Sequence, residues 1–155
     1  MRIRISAIGR VTRGPEADLI ATYQKRFDQT GRHIGLGPLD IIAAEAKRAE
    51  PVSEAETLSK SIPSGAIVVA MDERGKTLTS PEFARLLGDW RDQGRSSVCF
   101  LIGGADGLHE TLRKDADYKL SFGKMVWPHL LARAMLCEQL YRASSILSGG
   151  PYHRE

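Results

Sequence analysis

The sequence predicts an α/β fold, a parallel sheet with helices on both faces. Three observations lead there. Apolar runs of strand length recur at residues 3–7, 39–43, 66–71 and 97–102. Segments of helical periodicity separate them, and helical crossovers between strands imply parallel pairing. The 155 residues suit one domain, 1–155, with one sizeable core.

Ile3, Ile5 and Ala7 alternate with Arg2, Arg4 and Ser6, the period of a strand with one polar face. Residues 9–14 form a loop. Pro15 suits a first helical turn, and Leu19, Ile20, Tyr23 and Phe27 share one helix face. Residues 31–38 punctuate the chain before the second strand, 39–43. The 44–51 segment is charged and weakly patterned, and is expected to be mobile. Ser53 with Glu56 reads as a capping box for a short helix through Leu58. Residues 63–65 turn the chain into strand 66–71, and 72–76 read as a polar loop. Ser80 reads as a cap and Pro81 as a first-turn proline. Phe83, Leu86, Leu87 and Trp90 then follow the i, i+3, i+4, i+7 pattern, and Gly94 ends that helix.

Strand 97–102 runs straight into the glycine turn Gly103-Gly104-Ala105-Asp106-Gly107. A short polar helix, the stretch 118–121 and a small-residue loop, 122–127, follow. Pro128 opens the longest helical pattern, which extends to Leu147. Leu130, Leu131, Ala134 and Cys137 lie on one side of it, and Met135, Ala143 and Leu147 lie off that stripe. An apolar surface this wide is expected to contact both the sheet and a partner subunit.

The composition, 42% hydrophobic and 26% charged, is that of a soluble globular protein. No apolar run approaches the ~20 residues that span a membrane. Residues 1–10 alternate arginine with apolar residues, unlike a signal peptide. Cys99 and Cys137 have no cysteine or histidine at metal-ligand spacing, so zinc is not expected and both read as core residues of a cytoplasmic protein. The net charge is +3, yet residues 1–35 hold seven Lys/Arg against three acids. Such a stretch can attract phosphates, although a solvated surface explains it as well.

Two loops leaving strand ends for helices, with a polar tail, are how α/β proteins build ligand sites. Glycines at 103, 104 and 107 let backbone amides approach a ligand, but G-x-G-x-x-G is not met, and alone the turn reads more readily as a tight connection. The 122–127 loop could hold an adenine by backbone hydrogen bonds and apolar contact. His129 and Arg133 are one helical turn apart, placed to orient a phosphate or base or simply to solvate the helix start. Glu138 and Arg142 read as a structural ion pair. Tyr152, His153 and Arg154 end the chain. Such tails usually fray, but an ordered one with these groups suits RNA.

The glycine turn with Ile102 and Leu108, the run 120–125 with Pro128-His129, the helix segment 138–143 and the terminal Pro151-Tyr152-His153-Arg154 together resemble the RlmH family of SPOUT-class methyltransferases. The resemblance implies a SPOUT α/β fold with a C-terminal trefoil knot, a homodimer, and S-adenosylmethionine as methyl donor to N3 of a pseudouridine in 23S rRNA. It carries donor contacts onto Met71, where the family usually has leucine, and onto Gly103, Phe122, Gly123, Lys124, Met125, Val126 and Trp127. Candidates for positioning the base and assisting loss of its N3 proton are His153, Arg154, Tyr152, Arg133 and His129. Two other readings remain at this stage. A nucleotide-binding hydrolase would use the glycine turn for phosphate, although no Walker pattern is present. A non-catalytic RNA-binding module would use the basic N-terminal segment.

Overall fold

The computed structural model describes every residue except Lys47, Ala49 and Glu155. Its elements are β1 (Arg2–Ile8), α1 (Pro15–Gly31), β2 (Leu39–Ala44), α2 (Pro51–Ser61), β3 (Ile67–Thr77), α3 (Ser80–Asp92), β4 (Ser97–Ile102), α4 (Glu110–Asp115), β5 (Tyr118–Ser121) and α5 (His129–Leu147). The segment expected to be mobile, 44–51, includes Lys47 and Ala49, which lie outside the described residues.

The five strands form one sheet, ordered β2-β1-β4-β3-β5, and every pairing is parallel. β4 explains the architecture. All six of its residues are buried. Val98, Phe100 and Ile102 enter one core cluster and Cys99 and Leu101 the other. A strand that alternates between two apolar layers needs helices on both faces. Residues from α1, α3 and α5 fill the first layer, and residues from α2 and α4 the second. Both cysteines are buried and unbonded. Burial pushes the Cys137 thiol up to about 12 and raises that of Cys99.

Several sequence expectations are corrected. The polar face of β1 is open only at Arg2, because Ser6 is fully buried beside Cys99 and Arg4 donates to the Ser61 carbonyl of α2. α1 buries Ile20 and Phe27, but Leu19 remains 42% exposed. α2 starts at Pro51, so Ser53 and Glu56 lie inside the helix and form no capping box. Proline's fixed φ sets the helix start in its place. The cap of α3 is Thr79, one residue before Ser80, in a reciprocal box with Glu82.

The 72–76 stretch is not a loop. β3 continues through it after a register shift, pairing Lys76 with Leu120 and Thr77 with Ser121. Its polar side chains hid a strand that carries a bulge. A Cβ on Gly75 would come within 2.8 Å of β5 backbone, so only glycine lets the bulge lie there. α1 packs on one flank of α5, α3 on the other, and the sheet lies between, while Leu130, Leu131, Met135 and Leu147 stay half-buried. Leu140 and Ala143 are buried at 0% and 1% exposure.

Candidate functional site

Strands β3, β4 and β5 end side by side, and their exit loops enclose a cleft of about 250 Å³. Ligand sites in open α/β sheets lie at such carboxyl ends. The first wall is the 103–108 turn. An antiparallel bridge joins Gly104 to Gly107, and the Gly107 N–H donates to the Gly104 carbonyl at 3.1 Å. A Cβ on Gly103 would meet the Gly107 carbonyl at 2.3 Å, so this glycine is required by the turn itself. Gly107 has φ +75° with open space around it, so conformation selects glycine there. The Gly104 N–H donates to Glu54 of α2 at 3.3 Å, a clamp that no motif announced.

The second wall is the 122–127 loop. Ser121, buried at the end of β5, accepts from the Gly123 N–H at 3.0 Å. Its oxygen lies 2.8 Å from the Gly123 carbonyl and 3.1 Å from that of Glu73, within donating distance of either. Beyond this anchor the loop leaves Met125 71% and Val126 83% exposed, an apolar flap over the cleft. The third wall is β3 at Met71 and Asp72, where its bulge begins, and His129 and Ala132 of α5 close the site.

Of the expected donor contacts, Met71, Gly103, Phe122, Gly123, Met125, Val126 and Trp127 line this one cleft. Lys124 is exposed and does not. Of the expected catalytic groups, His129 lines it. Arg133, one turn on, is 1% exposed, and its guanidinium turns to the end of β1, donating to Ile8 at 2.9 Å and Gly9 at 3.1 Å. Burial lowers its pKa, and its Nε has no partner. Helical spacing put His129 and Arg133 on one side, but the Arg133 head group joins β1 to α5 and does not enter the cleft.

The tail is ordered against its own chain. Tyr152 stacks on Tyr141 at 4.5 Å, lies under the Arg142 guanidinium, and donates to Glu138 at 3.0 Å. Its hydroxyl also lies 3.4 Å from that of Tyr23 on α1. Burial and these bonds raise the Tyr152 pKa, so the phenol stays neutral. Glu138 also takes two bonds from Arg142, as the i, i+4 reading expected, and that contact raises the Arg142 pKa. His153 Nδ1 lies 3.4 Å from Arg142, and the other ring nitrogen is Nε2. That Nε2 is buried without a partner. Arg154 is exposed. The clamp around Arg142 is thirteen residues along α5 from His129, about 20 Å at 1.5 Å per residue. The tail and the cleft of the same chain therefore do not meet.

Among the described residues, no cluster of His, Cys, Asp or Glu could hold a metal, and no helix is long and apolar enough to cross a membrane. The family model described as a predicted SPOUT methyltransferase matches residues 1–153. Curated relatives named ribosomal RNA large subunit methyltransferase H include that of Dinoroseobacter shibae, 55% identical over 155 residues and 99% of each chain. That of Paracoccus denitrificans is 54% identical over 156 residues and all of each chain, and that of a Ruegeria species 53% identical over 99% of each. Among solved structures, a probable methylase family protein of Haemophilus influenzae matches with a TM-score of 0.54 at 15% identity, over 99% of this chain and 70% of that one. A probable methyltransferase of Bordetella pertussis matches at 0.55 and 14%, over 92% and 96%. At these identities the two structures speak for the fold alone.

Proposed function

The chain belongs to the SPOUT methyltransferases, within the ribosomal RNA large subunit methyltransferase H family, and from that premise we propose that it moves a methyl group from S-adenosylmethionine to N3 of a pseudouridine in 23S rRNA. The observation that carries the donor is the charge of the cleft. Its lining has the carboxylates of Asp72, Glu73 and Asp106 against one arginine, Arg74. A cationic sulfonium suits that lining and a polyphosphate does not. This argues against the nucleotide hydrolase, which would need the glycine turn to face a positive wall.

When bound, the donor supplies an already activated methyl group. The protein's part is to bind, orient and stabilise charge. Gly103 and the 122–127 loop would offer backbone amides and carbonyls to the adenosyl part, with Met71 and Trp127 as apolar contacts. Lys124 would meet solvent or RNA phosphate at the rim. On the target side, loss of the weakly acidic N3 proton leaves negative charge on the ring. Arg154, which is exposed, would offset it, with His153 beside it. Tyr152, neutral and clamped, holds those two residues. Arg133 fixes the frame of the cleft. His129, in the lining, is left to contact the base or its phosphate.

The tail lies about 20 Å from its own cleft along α5, so this reading requires two copies. The face shared by α1 and α5 leaves Leu19 exposed and Tyr23 and Tyr141 half-buried. We place a two-fold homodimer contact there, with the tail of each copy completing the cleft of the other. The target base must leave its stack to enter. The substrate would be the 23S rRNA of an assembled ribosome in the cytoplasm, which offers a composite surface. The basic 1–35 stretch would add phosphate contacts.

Two measurements test this. Calorimetry should give S-adenosylmethionine binding and no ATP binding. Tritium transfer from labelled donor should modify ribosomes and leave naked rRNA fragments almost unlabelled. Preference for ATP would replace the function, and equal labelling of both RNAs would remove the composite-surface requirement.

A further inference from the structure

Asp72 is the first residue past Met71, its side chain is only 5% exposed, and it lines the cleft. An acid this buried needs partners, and it has four bonds. Its Oδ1 accepts from the Arg74 backbone N–H and from Arg74 Nε, each at 2.9 Å. Its Oδ2 accepts from Arg74 Nη2 and from Arg113 Nη1, each at 3.2 Å. Both oxygens accept from Arg74, but only Oδ2 also accepts from another element. Oδ1 serves the bulge of β3 in which it sits. Oδ2 reaches across to Arg113 on α4, the helix that the glycine turn leads into. Arg113 is itself 21% exposed, so this bond is well shielded, unlike the 65% exposed Arg74.

We propose that the Asp72–Arg113 pair is a strut that sets the separation between the β3 wall and the glycine-turn wall, which makes Asp72 a positioning residue for the methyl donor. The inference rests on the donor reading above. It follows from where the charges stand. α4 has only six residues, Leu112 seats it in the second core layer, and Glu54 holds the preceding glycine turn from the α2 side. Arg113 is the charged bond from α4 to β3, and it ends on the residue beside Met71.

The chemistry of asparagine separates the two jobs. Asp72→Asn keeps an oxygen for the Arg74 backbone N–H and so preserves the bulge. It replaces Oδ2 with an amide that cannot accept from Arg113. Arg113→Met keeps the aliphatic stem and removes the charge. Arg113→Lys keeps a charged donor. We expect Asp72→Asn and Arg113→Met each to raise the Kd for S-adenosylmethionine about ten-fold, with kcat at saturating donor falling far less. Arg113→Lys should recover most of the affinity. The double variant Asp72→Asn/Arg113→Met should be no weaker than either single one, because both remove the same bond.

Binding is measured by calorimetry on protein shown to be folded by circular dichroism. That separates positioning from loss of folded protein, which would lower the number of sites and leave Kd unchanged. Unchanged Kd in both folded single variants, or additive losses in the double variant, would overturn the strut and leave the donor reading standing. Failure of the unmodified protein to bind the donor would overturn both.

Discussion

Alanine at Gly103 is the most direct probe of the turn. The new Cβ would lie 2.3 Å from the carbonyl of Gly107 and 2.7 Å from the Leu108 nitrogen, against an ordinary contact of 3.4 Å or more. These are backbone atoms and no rotamer relieves them, so the 107–108 peptide must retreat by about 1 Å. That movement breaks the 3.1 Å bond from Gly107 to Gly104 and unseats Leu108, which is 7% exposed. Overpacking costs about 1–3 kcal/mol and a lost backbone bond about 1 kcal/mol, so we expect a loss of about 2–4 kcal/mol. For a chain of this length that lowers Tm by roughly 5–15 °C and leaves the protein folded at 25 °C. Gly107→Ala is the control, because its φ of +75° strains alanine while nothing lies within 4 Å. It should cost only about 1 kcal/mol. Calorimetric melting of both variants, with donor titration of each, measures the difference. If Gly103→Ala melts no lower than Gly107→Ala, the turn is not held by contact between its two ends and the reasoning fails.

Leu140, at 0% exposure, serves the chain's own core, so Leu140→Ala should cost about 2–5 kcal/mol in urea unfolding. Leu19→Glu should leave stability nearly unchanged and yield monomers by light scattering; a stable dimer would move the interface off α1. The buried thiols should resist iodoacetamide at pH 8 in the native state. With the folded Cys137 thiol at about 12 against an ordinary 9.0, its burial contributes stability that is full below pH 9 and lost as pH rises towards 12. Cys137→Ala should therefore show a shallower alkaline fall in urea midpoint than the parent, and equal slopes would count against this. Removing residues 152–155 should keep fold and dimer and abolish most methyl transfer, read by tritium incorporation; near-normal turnover would shift the target-side roles to His129.

What the residues announced and what they concealed follows from the range of the interactions. β4 was legible because five apolar residues, Val98 to Ile102, before a glycine pair admit few other structures. The cleft walls at 103–107 and 122–127 were legible because both follow strands directly. The extension of β3 was not, since Asp72, Glu73 and Arg74 look like a loop until β5 is alongside them. Nor was the Glu54 clamp, whose two partners are fifty residues apart. The broad stripe on α5 did not say which neighbours fill it, because periodicity only counts apolar positions; α1, α3 and the sheet cover part of it. Arg133 misled for a related reason, as helix position fixes where its stem begins but not where four further bonds carry its head. Tyr152 could be read as polar and terminal, but its seat on Glu138 and Tyr23 depends on how α1 and α5 pack.

The place of β4 in the sheet also governs when the molecule can come into being. β1 is the first strand made, yet one of its two neighbours is β4, with Arg2 opposite Ser97. β3 likewise waits for β4, with Ile67 opposite Val98. A nascent chain that stops before Ser97 can pair β1 only with β2 and leaves β3 beside nothing. At roughly 5–20 residues per second, β1 stays half-paired for about 5–20 s of synthesis. Such long-range closure slows folding even after release. During that interval the apolar edges of β1 and β3 are sites where a chaperone could bind, and they are covered when β4 inserts between them.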